Sequence, residues 1–435
     1  MSADAPTASA GGAFAFHRAD IALPRDAPQD YSTGRMKEPP MTPYLARASL
    51  PTLAVLALAL PGEAQDRKPP AGIRVRAGYE LSVAEATLAH PRFLRLDPAG
   101  TLYVSRPDAG DIQACRDRDG DGYYETVTPF VQDHRTVHGL CWYDGWLWFS
   151  ESGAIYRAQD TDGDGRADRE ETVIARGRLP EGGGHWWRAL LVHKDRIYTS
   201  IGDSGNITDE TATPRQKIWS YALDGSDERL FCAGLRNTEK LVVRPGTDEI
   251  WGMDHGSDWF GGPLEKKARA GQPITDLNPP CEMNHYVEGG FYGHPFIVGQ
   301  RVPRYEFLER ADIVELAAKT RPPAWATGAH WAPNAMEFYT GASFPGAAGS
   351  AFVAYHGSWN RSERAGYCVT LVLFEDGRPY GEQVYVNFLT TAGEVRGRPV
   401  DCAVTPDGTV LISDDHGNRI YRLRYVGGTA CKESK

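Results

Sequence analysis

One strand–turn–strand unit recurs along this chain, and the recurrence limits the fold more than any single residue does. A first copy is Phe93-Leu94-Arg95-Leu96-Asp97-Pro98-Ala99-Gly100-Thr101-Leu102-Tyr103-Val104-Ser105. An apolar strand meets a turn, and a second strand ends on serine. Residues 138–150, 189–200, 241–251, 335–355 and 401–413 repeat the pattern. The period is about 45–50 residues where nothing intervenes, which is the spacing of sheets arranged as blades around an axis. Alternating apolar and polar residues between Gly/Pro/Asp turns fit short half-buried strands. The pattern predicts an all-β chain, a six-bladed β-propeller over residues 70–428. A β-sandwich with coincident spacing is the alternative. Residues 261–334 break the rhythm, being rich in Pro, Gly, Lys and Glu, with a helix-like run at 309–319. They are expected as an insertion between blades on the face that carries the site, since long insertions in compact folds often serve as lids.

The start of the chain does not share this pattern. Residues 1–40 have no hydrophobic period and are expected to be disordered or a mis-assigned start. Residues 41–64 combine a basic beginning, the apolar run Leu50-Pro51-Thr52-Leu53-Ala54-Val55-Leu56-Ala57-Leu58-Ala59-Leu60 and a small-residue exit. That is the layout of a secretory signal. The run is too short to span a bilayer comfortably. Cleavage near Gln65 would give a periplasmic or secreted protein with no membrane span in the mature chain. An ordinary hydrophobic helix in a true extension is the alternative.

A net charge of −10 and the absence of any Lys/Arg run argue against a nucleic-acid surface. Seven cysteines occur with no Cys-x-x-Cys, which disfavours zinc ribbons, thioredoxin chemistry and covalent haem. Export would permit disulfides. The odd count leaves at least one thiol unpaired within the chain, with Cys431 in the polar tail the first choice.

Part of the negative charge lies in two Asp-rich loops. Asp160, Asp162, Asp164, Asp168 and Glu171 match a twelve-residue calcium loop, with Gly165 at the sharp turn. Asp117, Asp119 and Asp121 form a related loop without the final glutamate. The flanks read as strands, so a calcium staple between strands or blades is expected, not an EF-hand.

The residues that carry chemistry follow. Gly182-Gly183-Gly184-His185-Trp186-Trp187 precedes a strand pair that ends at Asp203. A carboxylate beside an imidazole sets its tautomer and suits it to act as a base. The glycines allow the backbone to approach a ligand, and either tryptophan could wall a flat cofactor. Arg236-Asn237 offers a planar donor fork and an amide. Asp254-His255-Gly256-Ser257-Asp258 ends a strand, and its carbonyls are possible metal ligands.

Together these runs, with Arg398-Pro399-Val400-Asp401 and Asp407-Gly408, resemble the pyrroloquinoline quinone (PQQ)-dependent sugar dehydrogenases, in the glucose/sorbosone branch of six-bladed propellers. His356-Gly357-Ser358-Trp359-Asn360-Arg361 is similar to the sorbosone dehydrogenase-like subset. The resemblance spans about residues 75–425. It implies His185 as the base that takes the sugar hydroxyl proton while hydride passes to the quinone, with Asp203 as its carboxylate partner. It implies Arg236 and Asn237 on quinone and substrate, Ca²⁺ on the carbonyls of Gly256 and Ser257 with His255 beside them, and Arg398 and Arg361 on the cofactor's carboxylates. This chain departs from the pattern at Val400, where a basic residue is usual, at Ser257, where proline is common, and at the bulky Trp186-Trp187.

The leading expectation is an exported PQQ- and calcium-dependent oxidoreductase of a sugar or related aldehyde. It would pass electrons to a separate acceptor, a cytochrome or the quinone pool. The alternatives are a calcium-dependent sugar lactonase-type hydrolase and a non-catalytic glycan- or protein-binding propeller.

Overall fold

The computed structural model describes residues 67–260 and 273–427. The expected signal segment, the stretch before it and Cys431 lie outside the described residues.

Six sheets follow the sequence repeats, each starting with the strand nearest the axis. Those inner strands are Leu94–Leu96, Leu140–Tyr143, Leu191–His193, Thr238–Val243, Pro333–Phe338 and Pro399–Val404. Each touches the next, and the last touches the first, so the ring closes. Tyr79–Glu85 pairs antiparallel with Arg419–Tyr425 and becomes the outermost strand of the sixth blade. The two ends of the ring are thereby joined by backbone hydrogen bonds, and the C-terminal strand is paired on both sides.

The serine that ends the second strand of several repeats has a structural purpose. Ser105, Ser150, Ser200 and Ser413 accept a backbone N–H at the start of their own blade's inner strand, from Phe93, Gly139, Ala189 and Asp401 at 3.0–3.3 Å. Three of them also donate to the next blade: Ser150 to Arg188 O at 2.8 Å, Ser413 to Arg92 O at 2.5 Å, and Ser200 to Thr238 O. One buried hydroxyl thus satisfies two backbone groups and ties neighbouring blades together.

The core is divided among the interfaces between blades. Phe149 and Leu140 meet Phe93 and Ile112 between blades one and two. Phe352 and Tyr385 meet Ile412 and Tyr421 between blades five and six. Equivalent clusters fill the other four interfaces. Each fully buried Leu, Ile or Phe contributes roughly 1.5–3 kcal/mol.

The stretch expected as an insertion proves to contain part of blade four. Glu282–Tyr286 and Trp325–Ala326 are that blade's third and fourth strands. Gly290–Phe291 pairs parallel to the outer strand of blade three. These strands are too short to show alternation. The helix is confined to Ile313–Lys319, and Ile313 packs on Phe291, Phe296 and Ile297. Among the described residues no helix is long and apolar enough to cross a membrane. The six described cysteines are buried free thiols.

Candidate active site at one mouth of the ring

The loops that enter the inner strands and leave the second strands gather at one end of the ring. They enclose a cavity of 330 Å³ whose wall includes His185, Asn206, Arg236, His255, Asp258 and Trp359.

His185 is placed by its backbone neighbours. Gly184 N–H donates to Ser204 O at 2.6 Å and His185 N–H to Asp203 O at 3.2 Å. Gly183 sits at φ +86°, and a Cβ there would lie 2.9 Å from Ser204 Cα. The glycines therefore serve a close approach to the Ser204 segment, where a close approach to a ligand was expected. His185 Nδ1–H donates to the Asp203 main-chain oxygen at 2.9 Å. A carbonyl can only accept, so the proton sits on Nδ1 and Nε2 keeps its lone pair. Burial, and then the Arg236 guanidinium, hold the imidazole well below its usual pKa, so it is neutral.

The Asp203 carboxylate is not the partner of His185, which corrects the sequence expectation. It accepts from His294 Nε2 at 2.7 Å, Gly205 N at 2.6 Å, and Thr208 N and Gln216 Nε2 at 3.1 Å. Burial favours its neutral form, but these hydrogen bonds, led by His294, outweigh it and hold the carboxyl below its ordinary range. The chain turns after Asp203, so the side chain points away from the imidazole while the carbonyl points toward it.

Arg236 and Asn237 are held by Asp254, whose two carboxylate oxygens accept their backbone N–H groups at 2.9 and 2.6 Å. The Arg236 fork joins three loop positions: Asn206 through O and Oδ1, Gly256 O at 3.0 Å and Asp258 Oδ1 at 3.1 Å. Asn237 lies one layer deeper, donating to Glu239 Oε1 at 3.1 Å and facing His255 Nδ1 at 3.4 Å. His255 gives its Nε2–H to Pro333 O at 3.0 Å, and burial pushes it down to about 4. With both ring nitrogens engaged, His255 is a wall and not a base. Gly256 borders this cavity and a second one of 20 Å³ behind it, whereas Ser257 borders only the second. Ser257 Oγ accepts from Arg304 Nη1 at 2.6 Å and donates to Trp259 O at 2.9 Å.

Besides Asn237, two more of the expected cofactor residues do not line the cavity. Arg398 donates to His356 O at 3.0 Å and Gly357 O at 3.2 Å, and lies over the Tyr367 ring. Arg361 faces a neighbouring open groove. Trp187 is stacked between Trp186 and Arg92, with the guanidinium 4.3 Å from its ring. It is Trp359, and neither of these tryptophans, that borders the cavity.

Sequence inspection missed several residues. Asn206, Asp258, Cys281, His330 and Asn360 line the cavity, and Asn206 Nδ2 is a buried donor without an acceptor among the described residues. They come from separate loops; Asp258 ends the Asp254–Asp258 run and Asn360 lies in the His356–Arg361 run, whereas Cys281 and His330 carry no signal in the sequence. Beneath the cavity, Arg92 bridges Glu239 at 3.1 Å and Asp415 at 2.7 Å, and His356 Nε2 also reaches Asp415 at 2.9 Å.

The Asp-rich loops lie far along the blades, between the third and fourth strands of blades one and two. Asp117, Asp119 and Glu125 bring ligand oxygens within 4.8 Å of one another, as do Asp160, Asp162 and Asp168. Glu125 thus occupies the place of Asp168. Glu171 is drawn instead to Arg157 Nε at 2.8 Å, and Asp121 to Arg67 at 2.7 Å. Asp164 accepts from Arg166 N. The strand that begins at Arg169 carries the chain away before a twelfth position can turn back, so the EF-hand count fails there. Arg116 ties the loops, reaching Asp160 at 3.2 Å and Gly163 O at 3.0 Å.

A six-bladed ring with a polar pocket at one mouth is a scaffold used by many binding proteins and enzymes. Residues 73–426 match the TrAA12-like family model, and the chain belongs to that family. An uncharacterised protein of Borreliella burgdorferi is 27% identical over 382 residues, covering 81% of this chain and 91% of its own. Among solved structures, a calcium structure of a family AA12 carbohydrate-active enzyme from Trichoderma reesei superposes with a TM-score of 0.70 at 19% identity, covering 81% of this chain and 97% of the other. The holo PQQ domain of pyranose dehydrogenase from Coprinopsis cinerea gives 0.68 at 17% identity, with 82% and 98% covered. The PQQ-bound aldose sugar dehydrogenase of Streptomyces coelicolor gives 0.55 at 17%, with 82% and 99% covered. At these identities the structures share the fold.

Proposed function

We propose that this protein is an exported PQQ- and calcium-dependent oxidoreductase that oxidises a sugar or related aldehyde and hands electrons to a separate acceptor. The observation that carries this is a neutral His185 on the cavity wall with Nδ1–H committed to a carbonyl and Nε2 left to accept a proton. The quinone- and sugar-related names of the fold's relatives support it.

The residues fit a flat quinone. The cavity has the size for one, Trp359 offers an aromatic wall, and the orphan Asn206 Nδ2 awaits an acceptor. When bound, the quinone supplies the hydride acceptor. His185 Nε2 removes the proton from the hydroxyl being oxidised, and Arg236, fixed by Asp254, places positive charge beside the developing negative charge. Gly256 O keeps a second lone pair for a calcium ion beyond the one used by Arg236. Arg398 lies outside the cavity wall, close enough in the fold to support the loop bearing Trp359 through His356 and Gly357. A lactonase would need carboxylates free at the axis, whereas Glu239 and Asp415 are both paired with Arg92.

The test is reconstitution of the purified protein with PQQ and Ca²⁺, read by quinone absorbance and by dye reduction with aldoses and sorbosone. Stoichiometric uptake with sugar-dependent reduction supports the reading. A folded, calcium-loaded protein that takes up no quinone overturns it.

A further inference from the structure

Trp359 is the most exposed aromatic side chain among the described residues, at 73%. Its backbone is nevertheless firmly held. Ser358 and Asn360 on either side are buried at 3% and 4%. Ser358 N–H donates to Ala365 O at 2.9 Å, Ala365 N–H returns to Ser358 Oγ at 3.0 Å, and Asn360 Nδ2 donates to Asp258 O at 2.5 Å. The rigid turn thus holds a broad apolar face open to solvent in one fixed position.

That indole is the partition between two spaces. It borders the cavity of His185 on one side and an open groove of 880 Å³ on the other. The groove has a polar lining that includes Arg361, Arg364, Thr390 and Thr391. Among the described residues Arg361 donates to carbonyls alone, Ala329 O at 3.2 Å and Glu363 O at 3.3 Å, and Arg364 donates to Gly393 O at 3.0 Å. No ion pair neutralises either guanidinium among the described residues, and the exposed Glu363 in the same groove pairs with neither. Two unpaired guanidiniums against one carboxylate leave this groove positive on a chain of net charge −10.

We propose that the groove is a subsite for an anionic sugar unit, so that the substrate is an acidic saccharide of at least two rings. One ring sits at His185, the next lies across Trp359, and a carboxylate on that second unit is held by Arg361 and Arg364. Aromatic faces suit the apolar face of a sugar ring, threonine hydroxyls suit its hydroxyls, and planar guanidinium forks suit carboxylates. The substrate class rests on the proposed oxidoreductase activity, whereas binding in the groove does not.

The test uses the full chain without cofactor and reads binding by calorimetry and tryptophan fluorescence. The probes are a glucuronate-terminated disaccharide and its neutral counterpart. The wild type should bind the acidic probe at least about tenfold more tightly, the scale of one charge-assisted contact. The double variant R361Q/R364Q should lose that preference while still binding the neutral probe, and Trp359→Ala should weaken both. Equal affinities, no binding of either probe, or an acid preference that survives in R361Q/R364Q would each overturn the proposal. So would a parallel loss of PQQ uptake in R361Q/R364Q, which would assign the arginines to the cofactor's carboxylates. Acid-selective binding with no quinone uptake by the wild type would uphold the subsite and refute only the oxidoreductase reading.

Discussion

The main-chain oxygen of Asp203 accepts the His185 Nδ1–H at 2.9 Å, while the Asp203 carboxylate turns to His294 at 2.7 Å. The imidazole is oriented by backbone, and the carboxylate braces the loop behind it. Asp203→Asn should therefore leave the tautomer of His185 intact. The expected result is a pH–rate profile whose acid limb is unmoved, together with a loss of stability of about 1–3 kcal/mol from the broken carboxylate contacts. A carboxylate acting directly on the base would shift that limb, so the profile and a denaturation midpoint separate the two roles.

Glu282 and Asp254 face each other across paired strands, both buried. Burial, and then the Asp254 charge, push the Glu282 carboxyl up to about 8 from its ordinary 4.5. The folded state thus holds a proton that the unfolded chain gives up at lower pH. Stability from this group is full below about 4.5 and is lost as pH rises toward about 8. Glu282→Gln keeps an acceptor for Gly299 N–H and removes the titration. Its melting temperature should match the wild type in mild acid and exceed it at pH 9, measured by thermal scans across that range.

The acidic loops make a separate prediction. If Asp117, Asp119 and Glu125 hold one calcium and Asp160, Asp162 and Asp168 another, chelation should lower the melting temperature. Saturation at a hundred times Kd is worth about 2.7 kcal/mol. Glu125→Gln or Asp168→Asn should abolish the calcium-dependent shift at its own loop, and Glu171→Gln should not, because Glu171 is engaged by Arg157.

Ser150 and Ser413 join neighbouring blades through single hydroxyls. Replacing either by alanine leaves a buried N–H and a buried C=O without that partner. Each substitution should cost about 1–3 kcal/mol in chemical denaturation, far more than an exposed serine such as Ser226 would.

Much of this was visible in the chain because repetition and alternation are properties of sequence. The six inner strands fall where the repeats place them, and His185, Arg236, His255 and Gly256 do meet at one cavity. What sequence could not show depends on direction and on partners. Asp203 and His185 are adjacent, but which atom of the aspartate faces the ring is a matter of backbone path. Trp187 was eligible as a cofactor wall until Arg92, far away in sequence, covered it. Glu125 is invisible to an EF-hand count, in which the last ligand sits on a helix, because here a strand follows it directly. The outer strands of blade four are too short for any period to emerge.

The most direct test of the central claim compares wild type and His185→Ala after reconstitution with PQQ and Ca²⁺, measuring quinone uptake and sugar-dependent dye reduction in the same samples. Both proteins should take up quinone, and the variant should turn over about 10²–10⁴-fold more slowly, the usual contribution of a positioned base. Full turnover in His185→Ala with quinone bound would contradict the assignment of His185 as the base.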